Sequence, residues 1–140
     1  MIEAALIARL LETPAVAALI GGDSIPAARI YPIVLPQKPT FPAITYQDIS
    51  TVRDRTAQGP SGLAFARIQF DCWAAAAPGA PGYASAKALL AAVRAALDGF
   101  TGNRAGVEIQ DASMEGDRSS FNAGLHAYLS SADVEVWFEE

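Results

Sequence analysis

Reactive side chains are scarce in this chain of 140 residues, which contains one cysteine, Cys72, and one histidine, His126. A single cysteine excludes a disulfide within the chain. A hydrolase built on Ser or Cys needs a base beside its nucleophile, and that base is nearly always histidine. His126 falls in a predicted strand, and neither it nor Cys72 stands at a spacing typical of metal ligands. The chain is therefore predicted not to be an enzyme and to bind no cofactor or metal.

Long apolar runs are also absent. A membrane helix needs roughly 20 apolar residues, and Arg9 and Arg94 interrupt the two most apolar stretches. The first segment has no basic start and carries Glu3, which is unlike a signal peptide. We therefore expect no membrane association and synthesis in the cytoplasm.

An excess of basic residues is the third absence. The net charge is −5, and residues 100–140 contain two Lys or Arg against eight Asp or Glu. Affinity for nucleic acid comes from Lys and Arg displacing the counterions of the phosphates. The chain is predicted not to clamp DNA, whereas an acidic surface would suit a passage that DNA moves through.

What is present is a composition typical of a packed domain, with 51% hydrophobic and 18% charged residues. The length favours one domain over residues 1–140. Apolar residues at helical spacing predict helices in residues 2–11 and 83–97. Alternation predicts strands in residues 43–55 and 64–73 and two more in the last 35 residues. Residues 29–42 are rich in proline and are predicted as an edge strand followed by an extended arm. The order is α-β-β-β-α-β-β. This predicts an α+β fold, with an antiparallel-rich mixed sheet of about five strands and two main helices packed on it.

The segment from Arg53 to Trp73 contains the break "QGPSG" at residues 58–62. We predict a loop there that is longer than a tight hairpin. Charges of alternating sign precede it, and Gln58 and Ser61 add hydrogen-bonding groups. That makeup is typical of a polar contact surface held out by two strands.

Four stretches occur in an order that resembles the tail-completion, or tail-terminator, proteins of long-tailed bacteriophages and phage-like gene transfer agents. They are "RIYPIVLPQKPTFPAITYQDIS" (29–50), "LAFARIQFDCWA" (63–74), "YASAKALLAAVRAAL" (83–97) and "VEVWFEE" (134–140). The resemblance covers nearly the whole chain and rests on order and pattern, since none of the stretches is a catalytic motif.

The resemblance implies a structural virion protein, assembled in the host cytoplasm. Such proteins form a ring, with six subunits expected, on the head-proximal end of the tail tube. The ring stops tube polymerisation and joins the tail to the head, and DNA passes through its bore without specific binding. The implied partners are other copies of the chain, the tail tube protein and a head-proximal stopper or connector protein. On this interpretation we expect subunit or tube contacts at Arg53, Arg55, Gln58 and Arg67.

Two other functions fit the sequence. A neck stopper or adaptor between portal and tail is also a small ring subunit, and composition does not separate it from a terminator. A small hydrolase or ligand-binding domain unrelated to phages would need a pocket with convergent polar groups.

Overall fold

A computed structural model describes residues 1–140 and contains three helices and one six-stranded sheet. The elements are α1 (Ile2–Leu11), α2 (Pro14–Ala17), β1 (Ile30–Pro32), β2 (Ala43–Thr56), β3 (Gly59–Ala75), α3 (Gly82–Leu97), β4 (Gly102–Arg104), β5 (Val107–Asn122) and β6 (Ala127–Glu139). The strand order is β1-β2-β3-β6-β5-β4. Only β1 and β2 pair in parallel, and the sheet curls into a half-barrel.

The core lies between the helices and one face of the sheet. Along β3, side chains alternate between this face and the opposite one, as the period of two in a strand requires. The members of β3 and β6 that belong to the buried cluster are Ala64, Ala66, Ile68, Phe70, Cys72, Ala132, Val134, Val136 and Phe138. Helices α1 and α3 contribute the other side of the cluster, because their apolar residues recur at steps of three and four.

The predicted α+β class and the antiparallel-rich mixed sheet are confirmed, but the expected five strands are wrong, since the sheet has six. The strand that the prediction lacked is β4, which pairs with β5 through only three residues, Gly102–Arg104. It contains no β-branched or large apolar residue, so neither propensity nor alternation indicates it. Beyond the two main helices there is the one-turn helix α2.

The expected long loop at residues 58–62 is also wrong. Thr56 pairs with Gly59, so β2 and β3 are joined by the two-residue turn Ala57–Gln58. Residues 59–62 belong to β3, but they extend beyond the end of β6, whose register with β3 starts at Leu63. Glycine and proline are tolerated there because this part of β3 has a strand neighbour on one side only.

The turn between the last two strands lies later than the polar residues of the stretch 119–122 indicate. This stretch is the end of β5, and the connection is residues 123–126. His126 therefore lies in this turn and not in a strand. The end of β5 is polar because both of its faces are exposed.

No helix of the structure has the length and apolar character needed to cross a membrane.

Candidate functional site

The sheet has an open face, opposite the helices, and it is rich in carboxylates. Residues that alternate with the core positions of β3, β5 and β6 share this face through the cross-strand register. Its carboxylates are Asp71, Glu108, Asp111, Glu115, Asp133, Glu135 and Glu139, and its guanidinium groups are Arg67 and Arg118. Seven acidic and two basic groups leave the face with a formal charge as negative as that of the whole chain.

Both cationic side chains of the open face are already paired with carboxylates. Arg67 donates to Glu135 and lies 3.4 Å from Asp133, while Arg118 donates to the second Asp133 oxygen at 3.1 Å. Asp133 stands between the two guanidinium groups, and only 15% of its side chain is exposed. Both arginine side chains stay exposed, but the carboxylates outnumber them and leave the face with a net negative charge, which repels polyanions.

Asp71 is fixed on the same face without any cation. Its carboxylate accepts hydrogen bonds from Ser131 at 2.6 Å, Gln69 at 2.8 Å and Thr45 at 3.4 Å. The Thr45 hydroxyl in turn accepts from the Trp73 indole at 3.0 Å. Neutral donors satisfy the carboxylate and leave its negative charge uncompensated, which adds to the acidic character of the face.

Three of the four predicted contact residues lie together near the tip of the β2–β3 hairpin. Arg53 forms a bidentate pair with the side chain of Glu140, with N–O distances of 2.7 and 3.0 Å. Arg55 pairs with no carboxylate in the chain and lies opposite Pro60, and Gln58 is in the turn itself. All three are exposed.

Arg67, the fourth predicted residue, lies away from that tip. It stands at the centre of the open face opposite Glu135, where its partners are the two carboxylates described above. The structure therefore separates the four residues into an exposed hairpin group and one ion-paired residue of the open face.

The sequence prediction missed an apolar patch at one end of the open face. Phe65 and Trp137 are directly opposite each other in the sheet, with ring centroids 4.8 Å apart. Val52 is the neighbour of Phe65 on the other side and is 62% exposed. The alternation of β3 and β6 placed Phe65 and Trp137 away from the core, and this signal could have identified the patch.

Catalytic and metal-binding arrangements are not found. No three His, Cys, Asp or Glu side chains are grouped so that they could hold a metal ion. The His126 ring packs edge-on against Phe121 at a centroid distance of 5.6 Å. Burial raises the pKa of the Cys72 thiol far above its ordinary value, so Cys72 is an inert part of the core.

Comparisons with known proteins agree with this description. The model of the family Tail completion protein gp17 matches residues 4–139. The fold is similar to that of a chain in a solved structure described as the virion of a native gene transfer agent (GTA) particle. The two chains are 17% identical with a TM-score of 0.75, and the match covers 99% of this chain and 94% of that one. A search of curated protein sequences finds no match.

The likeness to the solved structure shows a shared fold, and the family match shows membership, because it spans nearly the whole chain. The expected resemblance is confirmed, and the alternative of a small hydrolase is wrong. The chain belongs to the Tail completion protein gp17 family and is a structural protein of phage-type tails, not an enzyme.

Proposed function

We propose that the protein is a tail terminator. Copies of it, six in number, close into a ring on the head-proximal end of the tail tube. The ring stops the tube protein from polymerising further and presents a surface to a stopper or connector protein of the head. DNA passes through the bore without specific binding, and the protein remains in the particle after assembly in the host cytoplasm.

The observation that carries the proposal is the open face of the sheet. A wet, negatively charged wall with few unpaired cations lets DNA move through a bore without binding to it. The open face has seven carboxylates, and its two guanidinium groups are held by Asp133 and Glu135. Placing this face inward and the helices outward would give six copies a bore with rings of carboxylates at several levels of the sheet.

The hairpin tip fits a second requirement of a terminator, which is a contact with another protein. The β2–β3 hairpin extends past the end of β6, and near its tip Arg55 is exposed without a carboxylate partner and Gln58 is exposed in the turn. A projecting polar tip on a rigid pair of strands is suited to contacts with a neighbouring subunit or with the tube. Arg53, Arg55 and Gln58 stay our candidates for these contacts. Arg67 is on an inner strand and is paired with carboxylates of its own chain, so in this arrangement it lies in the wall of the bore and not in a contact between copies.

The experiment is negative-stain electron microscopy of particles from cells in which the gene is deleted, compared with cells complemented by the intact gene. The proposal predicts tails of scattered and excessive length lying apart from filled heads, and normal particles after complementation. Tails of correct length that fail to join heads would instead support a neck stopper. Normal joined particles after deletion would contradict both functions.

A further inference from the structure

We propose that copies of the chain join edge to edge, the free edge of β2 in one copy pairing antiparallel with the free edge of β5 in the next. The inference deepens the proposed function and rests on it, because it names the surfaces by which a ring would close. A second copy of this chain pairs with each of the two edges.

The edge of β2 is covered at one end only. β1 pairs with residues 44–46, and the Ile33 N–H donates to the Tyr46 carbonyl at 2.8 Å. Residues 47–56 have no backbone partner on this side, and all of them except Thr51 are exposed. Their unpaired N–H and C=O groups form a template for another strand.

The edge of β5 is covered at the opposite end. β4 pairs with residues 107–109, the Ala112 carbonyl accepts from the Gly99 N–H at 2.8 Å, and the Met114 N–H donates to Asp98 at 3.0 Å. Beyond this point only β6 pairs with β5. Residues 115–122 are all exposed, and no other backbone hydrogen bond reaches them.

The two free segments have opposite directions and occupy opposite corners of the sheet. Three antiparallel steps separate β2 from β5, so a neighbour related by rotation in a ring presents its edge antiparallel. Through the cross-strand register, residues 47–56 lie level with β3 residues 69–59, and residues 115–122 lie level with β3 residues 69–75. The two edges can meet only if the neighbour is shifted along the strands.

The direction of this shift matches the tilt of a closed barrel. β3 and β5 are parallel and are connected through α3 on one face, and connections of this type are right-handed. Seen from the helix side with β3 pointing up, β2 is on the left with its free segment low, and β5 is on the right with its free segment high. A neighbour on the right is then shifted upward. In a ring whose copies all lie at the same height, the strands must therefore lean to the right, and the right-handed twist of sheets favours this lean.

The size of the shift also fits. The smallest shift that lays residues 115–122 wholly against residues 47–56 is roughly six residues, or about 20 Å at 3.3 Å per residue. Four long strands per copy are about 19 Å wide at 4.8 Å per strand. The strands would tilt by about 45°, which is within the range of closed barrels.

Charge complements the pairing at one end of the seam, by which we mean the contact between residues 47–56 of β2 in one copy and residues 115–122 of β5 in the next. At this shift Arg53 and Arg55, which by register lie on the helix side of β2, come to the level of Asp98 in the next copy, at the end of α3. Arg55 has no carboxylate partner in its own chain, and Asp98 has no cationic one. The free segment of β2 contains two register shifts, after Asp48 and after Arg53, and that of β5 contains one, after Glu115. Such irregularities disfavour pairing with an arbitrary strand.

The first test is the substitution Asp48→Pro. The Ile44 N–H and the Tyr46 carbonyl point away from β3, so by alternation the Asp48 N–H points out of the free edge. Proline at such a position is tolerated in an isolated edge strand but removes a hydrogen bond from a paired one. We expect complementation of the deleted gene by D48P to yield about tenfold fewer joined particles than D48A, which keeps the N–H. Equal yields for the two variants would overturn the proposal.

The second test does not depend on D48P being folded. Val52→Cys is combined, one at a time, with cysteine at Glu115, Arg118 or Ser120, all of which lie on the open-face side of β5. The native Cys72 is fully buried and should stay silent. Mild oxidation of purified particles should give a ladder of covalent multimers for at least one pair, and none for Val52→Cys with Ala88→Cys on the helix layer. If none of the three edge pairs gives covalent multimers, the proposed pairing of β2 with β5 is contradicted.

The seam and the terminator role can fail separately. If deletion of the gene gives scattered tail lengths but D48P complements fully and no edge pair cross-links, the role stands and the seam is wrong. If deletion leaves normal joined particles, the terminator role fails, whatever the cross-links show.

Discussion

At the scale of single residues, Glu12 at the end of α1 is an exposed carboxyl whose pKa is shifted by its neighbours. Hydrogen bonds from Arg104 and then from Arg9 lower the pKa of its carboxyl below the ordinary value of 4.5. The Arg104 bond, 2.8 Å long, joins α1 to β4, and the guanidinium groups of both arginines lie over the Phe100 ring. Glu12 therefore holds the helix layer to the short outer strand.

We predict that Glu12→Gln lowers the melting temperature at pH 7 and that the difference from the intact protein disappears in acid. A carboxyl whose pKa is lower in the folded state stabilises the fold above its unfolded pKa of about 4.5. This stabilisation is lost as the pH falls through the lowered folded value. Melting curves from pH 3 to pH 7 check this, with Asp23→Asn as the control. Because the group is exposed, the effect should be small and shrink with added salt.

Single residues were predicted from the sequence when their environment followed from alternation. Alternation along β3 places Cys72 and Arg67 on opposite faces, and Cys72 is fully buried while Arg67 is on the open face. The two carboxylate partners of Arg67, however, lie 66 and 68 residues further along the chain. Such a pairing depends on the register between β3 and β6, which the sequence of either strand alone does not specify.

At the scale of elements, the start of α3 shows how closely helix and sheet are packed. A Cβ atom on Gly82 would lie 2.4 Å from the Ala75 carbonyl oxygen and 2.8 Å from Cδ2 of Tyr128. The backbone of the helix thus approaches the end of β3 at a distance that only glycine permits.

We predict that Gly82→Ala destabilises the protein by about 1–3 kcal/mol, because the helix start must move away from the sheet. Intrinsic helix propensity alone would predict a gain of up to about 1 kcal/mol. Urea unfolding would measure the difference, with Ala84→Gly on the exposed side of the same helix as the matched control. A Gly82→Ala variant as stable as the parent would show that the packing is looser than described.

Elements that bury one face were predicted well, and elements at the edges were not. β3, β6 and α3 have clear periods because one side of each faces the core. Three segments have no such period. β4 is only three residues long, and residues 59–62 and 119–122 are exposed on both faces or contain glycine and proline. The same lack of pattern hid the two free edges, which follow from the strand order and not from composition.

At the scale of the whole molecule, the two faces of the sheet have different roles, and its two edges are only partly covered. One face binds the helices and stabilises the fold, and the other has the excess of carboxylates. The two edges are each covered at one end by a short strand, at opposite corners. We interpret the short covering strands as limiting the contact to one segment of each edge, so that the next copy can pair only there. This favours a closed ring over an open-ended filament.

The most direct test is a cryo-electron microscopy reconstruction of the junction between head and tail in intact particles. The account predicts a ring of copies of this chain at the head-proximal end of the tube. In it, Asp71, Asp133 and Glu135 line the bore, α3 lies outside, and β2 of each copy runs beside β5 of the next. A ring with the helices facing the bore, or with copies joined through their helices while both strand edges stay open, would contradict it.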